Sequence, residues 1–438
     1  MAHLPRPALL AATLVATSLL AGCGAAVFGP TALGRSVGAF GAMAADAPEI
    51  AAQIQAATIG KDEHGTRVRQ LPVPTKPKDV TFFTFKALDN NLGVTLPMHV
   101  NTLEKAGSNT GVNAIVLTDD IGPNNSRWYY ITPDQDMDAI TSPWTPVGKR
   151  GEVNSGSGGA LASAMRTAFG TYPSRLRWLD VNNHGGGYYG IAQDDRSDTI
   201  IRLPQLATAL NRGRGAKKLD LVTFDACLMA TIEVAHELRN TAEVMVASED
   251  SSYALGMNYD TTLAALAKGG KAEPAALGRE LVLRAQRKGK LVALFTISAL
   301  DMSKAARTTQ AVDRLGKALL AAMPTQGTQI KRALQAVKPF YVAGPDQSDF
   351  NHRDLHEVIV QLRERITDRG IQEACAGVQA TLFNKNGLIL LSRATREEGK
   401  VARGVSIYLP LDGKVDPIYK DTAFAKDTSW DEFLASVR

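Results

Sequence analysis

One segment of the sequence combines a strand, a cysteine and the start of a helix: LDLVTFDACLMATIE, at residues 219–233. Its first seven residues are rich in apolar and β-branched side chains, which predicts a buried strand. Asp225 and Cys227 follow where this strand ends, and a helical pattern begins just after them. In open α/β sheets ligands bind beyond such strand ends, so Cys227 is a candidate nucleophile.

A second segment has the same layout: LRWLDVNNHGGG, at residues 176–187, is a predicted strand that runs directly into His184 and three glycines. If the two strands are neighbours in the sheet, His184 and Cys227 face each other at one edge. A nearby imidazole raises the thiolate fraction of a cysteine, and glycines leave backbone N–H groups open to a substrate oxygen. The two segments together predict nucleophilic catalysis by a Cys–His pair.

The rest of the chain predicts the fold around this pair. Three further strands are predicted, at 80–85, 112–118 and 243–248. Helical patterns lie between the strands, at 158–169, 203–211 and 230–240. Apolar strands that alternate with helices predict an α/β fold with a largely parallel sheet, covered by helices on both faces.

The predicted secondary structure changes near residue 301. From there helical patterns dominate, at 303–323, 328–338, 353–368 and 371–383. One late strand, GVSIYLP at 404–410, is expected to return to the core. The sequence therefore predicts a core domain at 79–300 and a more helical C-terminal subdomain at 301–438.

The composition excludes several classes of protein. The chain has 438 residues, 45% hydrophobic and 21% charged, which excludes wholesale disorder and a membrane protein with many spans. Its 49 basic and 44 acidic residues give a net charge of +5 without long runs of like charge, so no nucleic-acid partner is predicted. Three cysteines are too few for a disulfide framework.

The N-terminus reads as an export signal. Residues 1–22 have a basic start and an apolar run that is too short to stay as a transmembrane helix. The run ends in Leu-Ala-Gly before Cys23, which resembles the lipobox of bacterial lipoproteins and implies cleavage and acylation at Cys23. Gly24 is the residue type that accompanies outer-membrane sorting in Gram-negative cells. An ordinary secretory signal, or an uncleaved anchor, is the alternative. Residues 23–78 are then a lipid anchor and flexible tether, with one short helix around 49–57.

The two reactive segments resemble a known family. N-H-G-G-G at 183–187 and F-D-A-C-L-M-A-T-I-E at 224–233 resemble the signature segments of the clostripain family of cysteine peptidases, which have a caspase-like fold. Shorter segments resemble the family in the same order along the chain: DNNL (89–92), GEVNSGSGGAL (151–161), VASED (246–250), GMNYD (256–260), DFNHRDLHEV (349–358) and SWDEFL (429–434). The resemblance spans roughly residues 79–438.

The resemblance implies an endopeptidase that cuts peptides or proteins after Arg or Lys. Cys227 matches the nucleophile and His184 the general base, and the backbone amides of Gly185 and Cys227 match the oxyanion donors. Asp225 matches the acidic residue at the base of the specificity pocket; as an alternative, it could cap the helix that follows. The sequence departs from the family pattern at Asp180, in the strand before the histidine, and around Gly256. The implied location is the cell envelope, through a lipid anchor.

Other candidate sites have simpler interpretations. Cys375 lies in a helical pattern and is expected to be a core cysteine. His352 and His356 have the i, i+4 spacing of metal ligands but no intervening glutamate, so a solvated helix face is expected. Calcium dependence occurs in the resembled family, but the chain has no EF-hand-like loop. We therefore predict no cofactor and keep calcium as the alternative. A catalytically weak module that binds peptides in the same cleft is the alternative function.

Overall fold

The computed structural model describes residues 65–252, 256–267, 273–285, 296–340, 351–394 and 401–437. Cys23, the signal segment and the short helix predicted around 49–57 lie outside the described residues, so these predictions stay untested. Among the described helices, none is both long enough and apolar enough to cross a membrane.

Five parallel strands form the centre of a nine-stranded sheet. In spatial order they are β2 (Val112–Asp119), β1 (Lys78–Ala87), β5 (Ser174–Asn182), β8 (Leu219–Asp225) and β9 (Ala242–Ala247). Antiparallel strands extend both sides of this centre: β3 (Arg127–Tyr130) and β4 (Trp144–Pro146) beyond β2, and β10 (Thr296–Asp301) and β12 (Ile389–Ala394) beyond β9. Two small sheets pair β6 (Ile191–Asp194) with β7 (Thr199–Ile201), and β11 (His352–Asp354) with β13 (Ser406–Tyr408). The predicted, mostly parallel sheet is confirmed.

Eleven α-helices lie in the described part of the chain: α1 (Leu96–Glu104), α2 (Gly158–Thr171), α3 (Leu203–Arg214), α4 (Ile232–Leu238), α5 (Tyr259–Leu266), α6 (Pro274–Ala285), α7 (Ala305–Gln335), α8 (Leu355–Arg365), α9 (Arg369–Leu382), α10 (Ala423–Asp427) and α11 (Trp430–Ser436). Successive side chains of each strand point to opposite faces of the sheet, so the core has one part on each face. One face packs against α1, α5 and α6. The other packs against α2, α3, α4 and the C-terminal helices α7, α8, α9 and α11 in one continuous apolar cluster. The domain boundary near residue 300 stays a prediction from the sequence pattern.

The late strand at residues 404–410 packs into the core but not into the central sheet. Val405, Ile407 and Leu409 belong to the large apolar cluster, and their strand β13 pairs with β11 in a separate two-stranded sheet. The edge of the central sheet is taken by β12, beside β10. Most side chains of β12 are only partly buried. An edge strand of this kind lacks the continuous apolar pattern of a central strand, which is why the sequence pattern missed it.

The patterns at 303–323 and 328–338 suggested two helices, but the structure has one, α7, with Pro324 inside it. A proline in a helix interior costs about 3 kcal/mol or more, because it removes a hydrogen bond and contacts the preceding turn. Leu319 and Ile330, on either side of Pro324, are both buried in the same apolar cluster. We attribute the continuity of α7 to this shared packing.

Candidate active site

The register of two parallel strands brings the predicted pair to one edge of the sheet. Asn182 at the end of β5 lies opposite Asp225 at the end of β8. His184 and Cys227 each follow two residues later, so both lie just beyond the same edge. The two loops touch at Gly185, where an added Cβ would lie 2.5 Å from the carbonyl oxygen of Cys227. Any side chain at Gly185 would therefore push the two loops apart.

His184 is held in the form that a general base needs. Its ring is 1% exposed, and Nε2 lies 2.6 Å from Oδ1 of Asn91. Because an amide oxygen only accepts, Nε2 carries the proton and Nδ1 is left as an acceptor. Within the described structure Nδ1 has no hydrogen-bond partner. Burial lowers the pKa of His184 to about 4, so the imidazole is neutral near pH 7 and able to take a proton.

Cys227 lies in a sharp turn directly after β8. Leu228 has a φ of +59°, and its N–H donates to the carbonyl of Asp250 at 3.1 Å. Sγ of Cys227 accepts a hydrogen bond from the N–H of Ser252 at 3.1 Å. The reactive form of such a nucleophile is the reduced thiol or its thiolate.

The other described cysteine has the environment that we expected. Cys375 is a free and fully buried residue of α9. Burial raises the pKa of its thiol to about 12. A thiol with so high a pKa is inert near neutral pH.

Asp225 lies beside the site as a buried carboxylate. Oδ2 accepts the N–H of Met257 at 3.3 Å, and Oδ1 has no hydrogen-bond partner in the described part of the chain. Gly256, with a φ of +77°, forms the adjacent wall; a Cβ there would lie 2.6 Å from Oδ2. The helix-cap alternative is wrong, because α4 begins at Ile232 and Thr231 caps it by accepting from a backbone N–H.

The face of the sheet beneath Asp225 carries polar side chains that sequence reasoning did not connect. Lys86, Asn182 and Asp225 lie in register across β1, β5 and β8. The row two residues earlier contains Asp180 between two threonines. A signal was present in the sequence, since Thr84 and Lys86 alternate with phenylalanines along β1. Asp180, which departs from the family pattern, belongs to this polar face.

Three carboxylates from separate segments lie together at the ends of β2 and β6, an arrangement that the sequence pattern did not indicate. Oxygens of Asp89, Asp119 and Asp194, all buried, lie within 4.8 Å of one another. Such a group could hold a divalent cation, since Ca²⁺ and Mg²⁺ prefer oxygen ligands. Burial raises the pKa of Asp89 to about 6 and of Asp119 to about 7. A proton on one of them therefore relieves the repulsion near neutral pH, as a cation would.

The histidine pair at 352 and 356 does not lie on one solvated helix face. His352 is a buried residue of β11, whereas His356 is a partly buried residue of α8. The i, i+4 spacing therefore spans a strand end and a helix start. His352 instead packs against the glycine loop after His184, where an added Cβ on Gly187 would lie 2.6 Å from its Nε2.

Comparisons with known proteins agree with this arrangement. A family model described as the clostripain family matches residues 87–436. A secreted C11 cysteine protease from Bacteroides thetaiotaomicron, solved with an irreversible peptide inhibitor, gives a TM-score of 0.57 at 17% identity, over 82% of this chain and 99% of that chain. An inactive zymogen C11 protease from Parabacteroides distasonis gives 0.59 at 18% identity, over 81% and 99%. These likenesses confirm the caspase-like α/β fold. The comparison with curated proteins found no match.

Proposed function

The chain belongs to the clostripain family of cysteine peptidases, and we propose that it cuts peptide bonds after Arg or Lys, with Cys227 as nucleophile and His184 as general base. The observation that carries the proposal is the position of His184 at the same sheet edge as Cys227, with Nδ1 unpaired among the described residues. A general base and a soft nucleophile at the same edge of the sheet are the least that acyl transfer to a thiol requires.

The reaction proceeds in two halves. Nδ1 of His184 takes the thiol proton while Sγ of Cys227 attacks the scissile carbonyl carbon, and the backbone N–H groups of Gly185 and Cys227 receive the developing oxyanion. When the C–N bond breaks, His184 gives the proton to the leaving amine, and a thioester remains. His184 then deprotonates a water molecule that hydrolyses the thioester and restores the thiol.

Asp225 supplies the specificity in this proposal. A buried carboxylate oxygen without a partner is costly, and a guanidinium or ammonium from the substrate would compensate it. The test is kcat/KM for matched peptides that differ only in Arg, Lys, Gln or Leu before the scissile bond, measured under reducing conditions. Arg should be cleaved faster than Lys if the carboxylate pairs with it through two hydrogen bonds. A flat profile across the four peptides would remove Asp225 as the selector.

We also propose that the protein is exported and anchored through lipid on Cys23. One relative with the same fold is described as secreted. Cys23→Ala should move the protein from the membrane fraction to the soluble fraction, because the acyl chains supply the membrane affinity. Fractionation after a high-salt wash measures this, with Cys375→Ala as the control that should remain bound. A Cys23→Ala protein that stays with membranes would contradict the lipobox interpretation.

Self-cleavage between the His and Cys segments is a further part of the proposal. Two basic stretches are available, Arg196 and residues 211–218, and they lie at opposite ends of the sheet. Arg196 follows β6, near the site, and its Nε lies 3.6 Å from a carboxylate oxygen of Glu152. Lys217, in the other stretch, precedes β8 and donates to the carbonyl of Arg175 at the opposite end. We therefore expect Arg196 to be the cut site.

Intact-mass analysis tests this expectation. Wild type should separate into two chains that end and begin at the bond after Arg196, whereas Cys227→Ala should stay as one chain. Arg196→Ala should also stay whole while the 211–218 stretch is intact. If wild type remains one chain and is active, self-cleavage is dispensable; if it is cut within 211–218, the assignment to Arg196 is wrong.

A further inference from the structure

A lysine is buried beneath the Asp225 pocket. Lys86, near the end of β1, is 1% exposed, and its Nζ lies 3.1 Å from Nδ1 of His99 and 3.4 Å from Oδ1 of Asn182. An ammonium has no acceptor, so Nδ1 of His99 accepts from it and carries no proton. A buried ammonium is very costly unless opposite charge lies nearby. The lysine therefore requires the carboxylates around it.

Two carboxylates attract Lys86, and they differ in their hydrogen bonds. Burial lowers the pKa of Lys86, and Asp180 and Asp225 oppose this by favouring its charged form. Asp180 is fully satisfied as an anion by three hydroxyls, those of Thr84 (2.6 Å), Thr223 (2.9 Å) and Tyr259 (2.7 Å). Asp225 receives one backbone N–H on Oδ2, while its Oδ1 has no partner in the described residues. The carboxylate oxygen of this cluster that can still accept a hydrogen bond is therefore Oδ1 of Asp225.

With Lys86 protonated and both carboxylates ionised, the charges of the cluster sum to one net negative. Among the described residues, the titratable groups that face Asp225 are Lys86 from β1, His99 from α1, Asp180 from β5 and Tyr259 from α5. Burial raises the pKa of Tyr259 well above its usual range, so this phenol is neutral. His99 is neutral while it accepts from the ammonium. One ammonium and two carboxylates remain, which leaves a single negative charge to match one substrate cation.

We propose that Lys86 is a positioning residue for substrate specificity, which compensates one buried carboxylate and so leaves Asp225 ionised and open to a cationic substrate side chain. The proposal rests on the role of Asp225 proposed above. Without Lys86, two buried carboxylates would retain a proton between them, and a protonated Asp225 offers no charge to Arg. Burial and Asp180 raise the pKa of Asp225 while Lys86 lowers it, and with all three acting this pKa is about 7.

The pH dependence of specificity tests this role. Only the anion of Asp225 recognises a cation, so kcat/KM for an Arg peptide should fall as the pH drops through the pKa of Asp225. Lys86→Met removes the cation, which raises the pKa of Asp225. The acid limb of the pH profile, where kcat/KM falls with decreasing pH, should then move to higher pH by about 1 to 3 units. At pH 7 the Arg peptide is then cleaved about tenfold more slowly or worse. Lys86→Arg keeps the charge and should keep the limb close to its wild-type position.

Two controls separate this role from a structural one. The rate of alkylation of Cys227 by iodoacetamide does not use the pocket, so its pH profile should be the same in wild type and Lys86→Met. Lys78→Met removes a lysine from the other end of β1, where it donates to the carbonyl of Val112, and should leave the limb in place. Rates are expressed per active site, titrated with an irreversible inhibitor, so that a misfolded fraction does not lower them.

Each result decides between the two proposals. An unmoved limb in Lys86→Met, in an enzyme whose Arg cleavage depends on Asp225, overturns the role of Lys86 and leaves the proposed function standing. An equal shift for iodoacetamide and the Arg peptide overturns it too, because the effect would then lie at the Cys–His pair. A wild type without preference for basic residues overturns both proposals.

Discussion

Cys227→Ala should lower kcat/KM for an Arg-containing fluorogenic peptide by about four orders of magnitude or more. The variant keeps His184, the backbone donors and the pocket, but it has no atom that can form the thioester. Cys227→Ser should also be severely impaired, because a hydroxyl is far less acidic than a thiol. The measurement is the initial rate under reducing conditions, which keep the thiol of Cys227 free.

The matched control for this prediction is Cys375→Ala. Cys375 is buried in α9, and burial raises the pKa of its thiol to about 12. Its removal deletes only one sulfur from the core, so stability falls modestly while kcat/KM is retained. Retained turnover in Cys227→Ala, or its loss only in Cys375→Ala, would show that the nucleophile is another residue.

Asp225→Asn should lower cleavage after Arg and Lys by about two orders of magnitude, equivalent to about 2.7 kcal/mol of transition-state stabilisation. Asparagine keeps the size and the acceptor that the Met257 N–H uses, but it removes the charge. A substrate cation that gives up water in this pocket then finds no opposite charge. Cleavage after Gln or Leu should change little.

Asp220→Asn is the matched control, because Asp220 lies at the opposite end of the same strand and pairs there with Lys217. It should leave the profile across Arg, Lys, Gln and Leu peptides unchanged. If Asp225→Asn slows all four peptides equally, the residue supports the fold of the site and does not select the substrate. The assignment of Cys227 and His184 would be unaffected by that outcome.

The centre of the fold was predictable because buried parallel strands have a strong sequence pattern. β8 matches the predicted 219–225, and β2 and β5 differ from their predictions by one or two residues at the ends. The antiparallel strands β3, β4, β10 and β12 were missed. The side chains of β3, β4 and β12 are largely half-buried, so they show no continuous apolar run. β10 is buried, but polar residues interrupt its six-residue run. Two helices were predicted where α7 is one, because a proline interrupts the local helical pattern. Tertiary packing on both sides of the proline keeps the helix continuous.

Reactive residues that directly follow strand ends could be predicted, whereas contacts between distant segments of the chain could not. His184 and Cys227 could be placed from the two strands that precede them. The contact between His184 and Asn91 joins residues 93 positions apart, and the neighbours of the buried Lys86 are likewise set by strand order. Lys86 therefore had no recognisable role until β1 was placed beside β5.

The most direct test of the account is where an affinity label attaches. Reduced protein is treated with a peptidyl chloromethyl ketone that carries Arg next to the reactive group, and the modified peptide is identified by mass spectrometry. We expect one adduct per chain, on Cys227, formed in step with loss of turnover, and none in Cys227→Ala. A label on Cys375, or full turnover after Cys227 has been modified, would contradict the claim that this chain is a peptidase with Cys227 as its nucleophile.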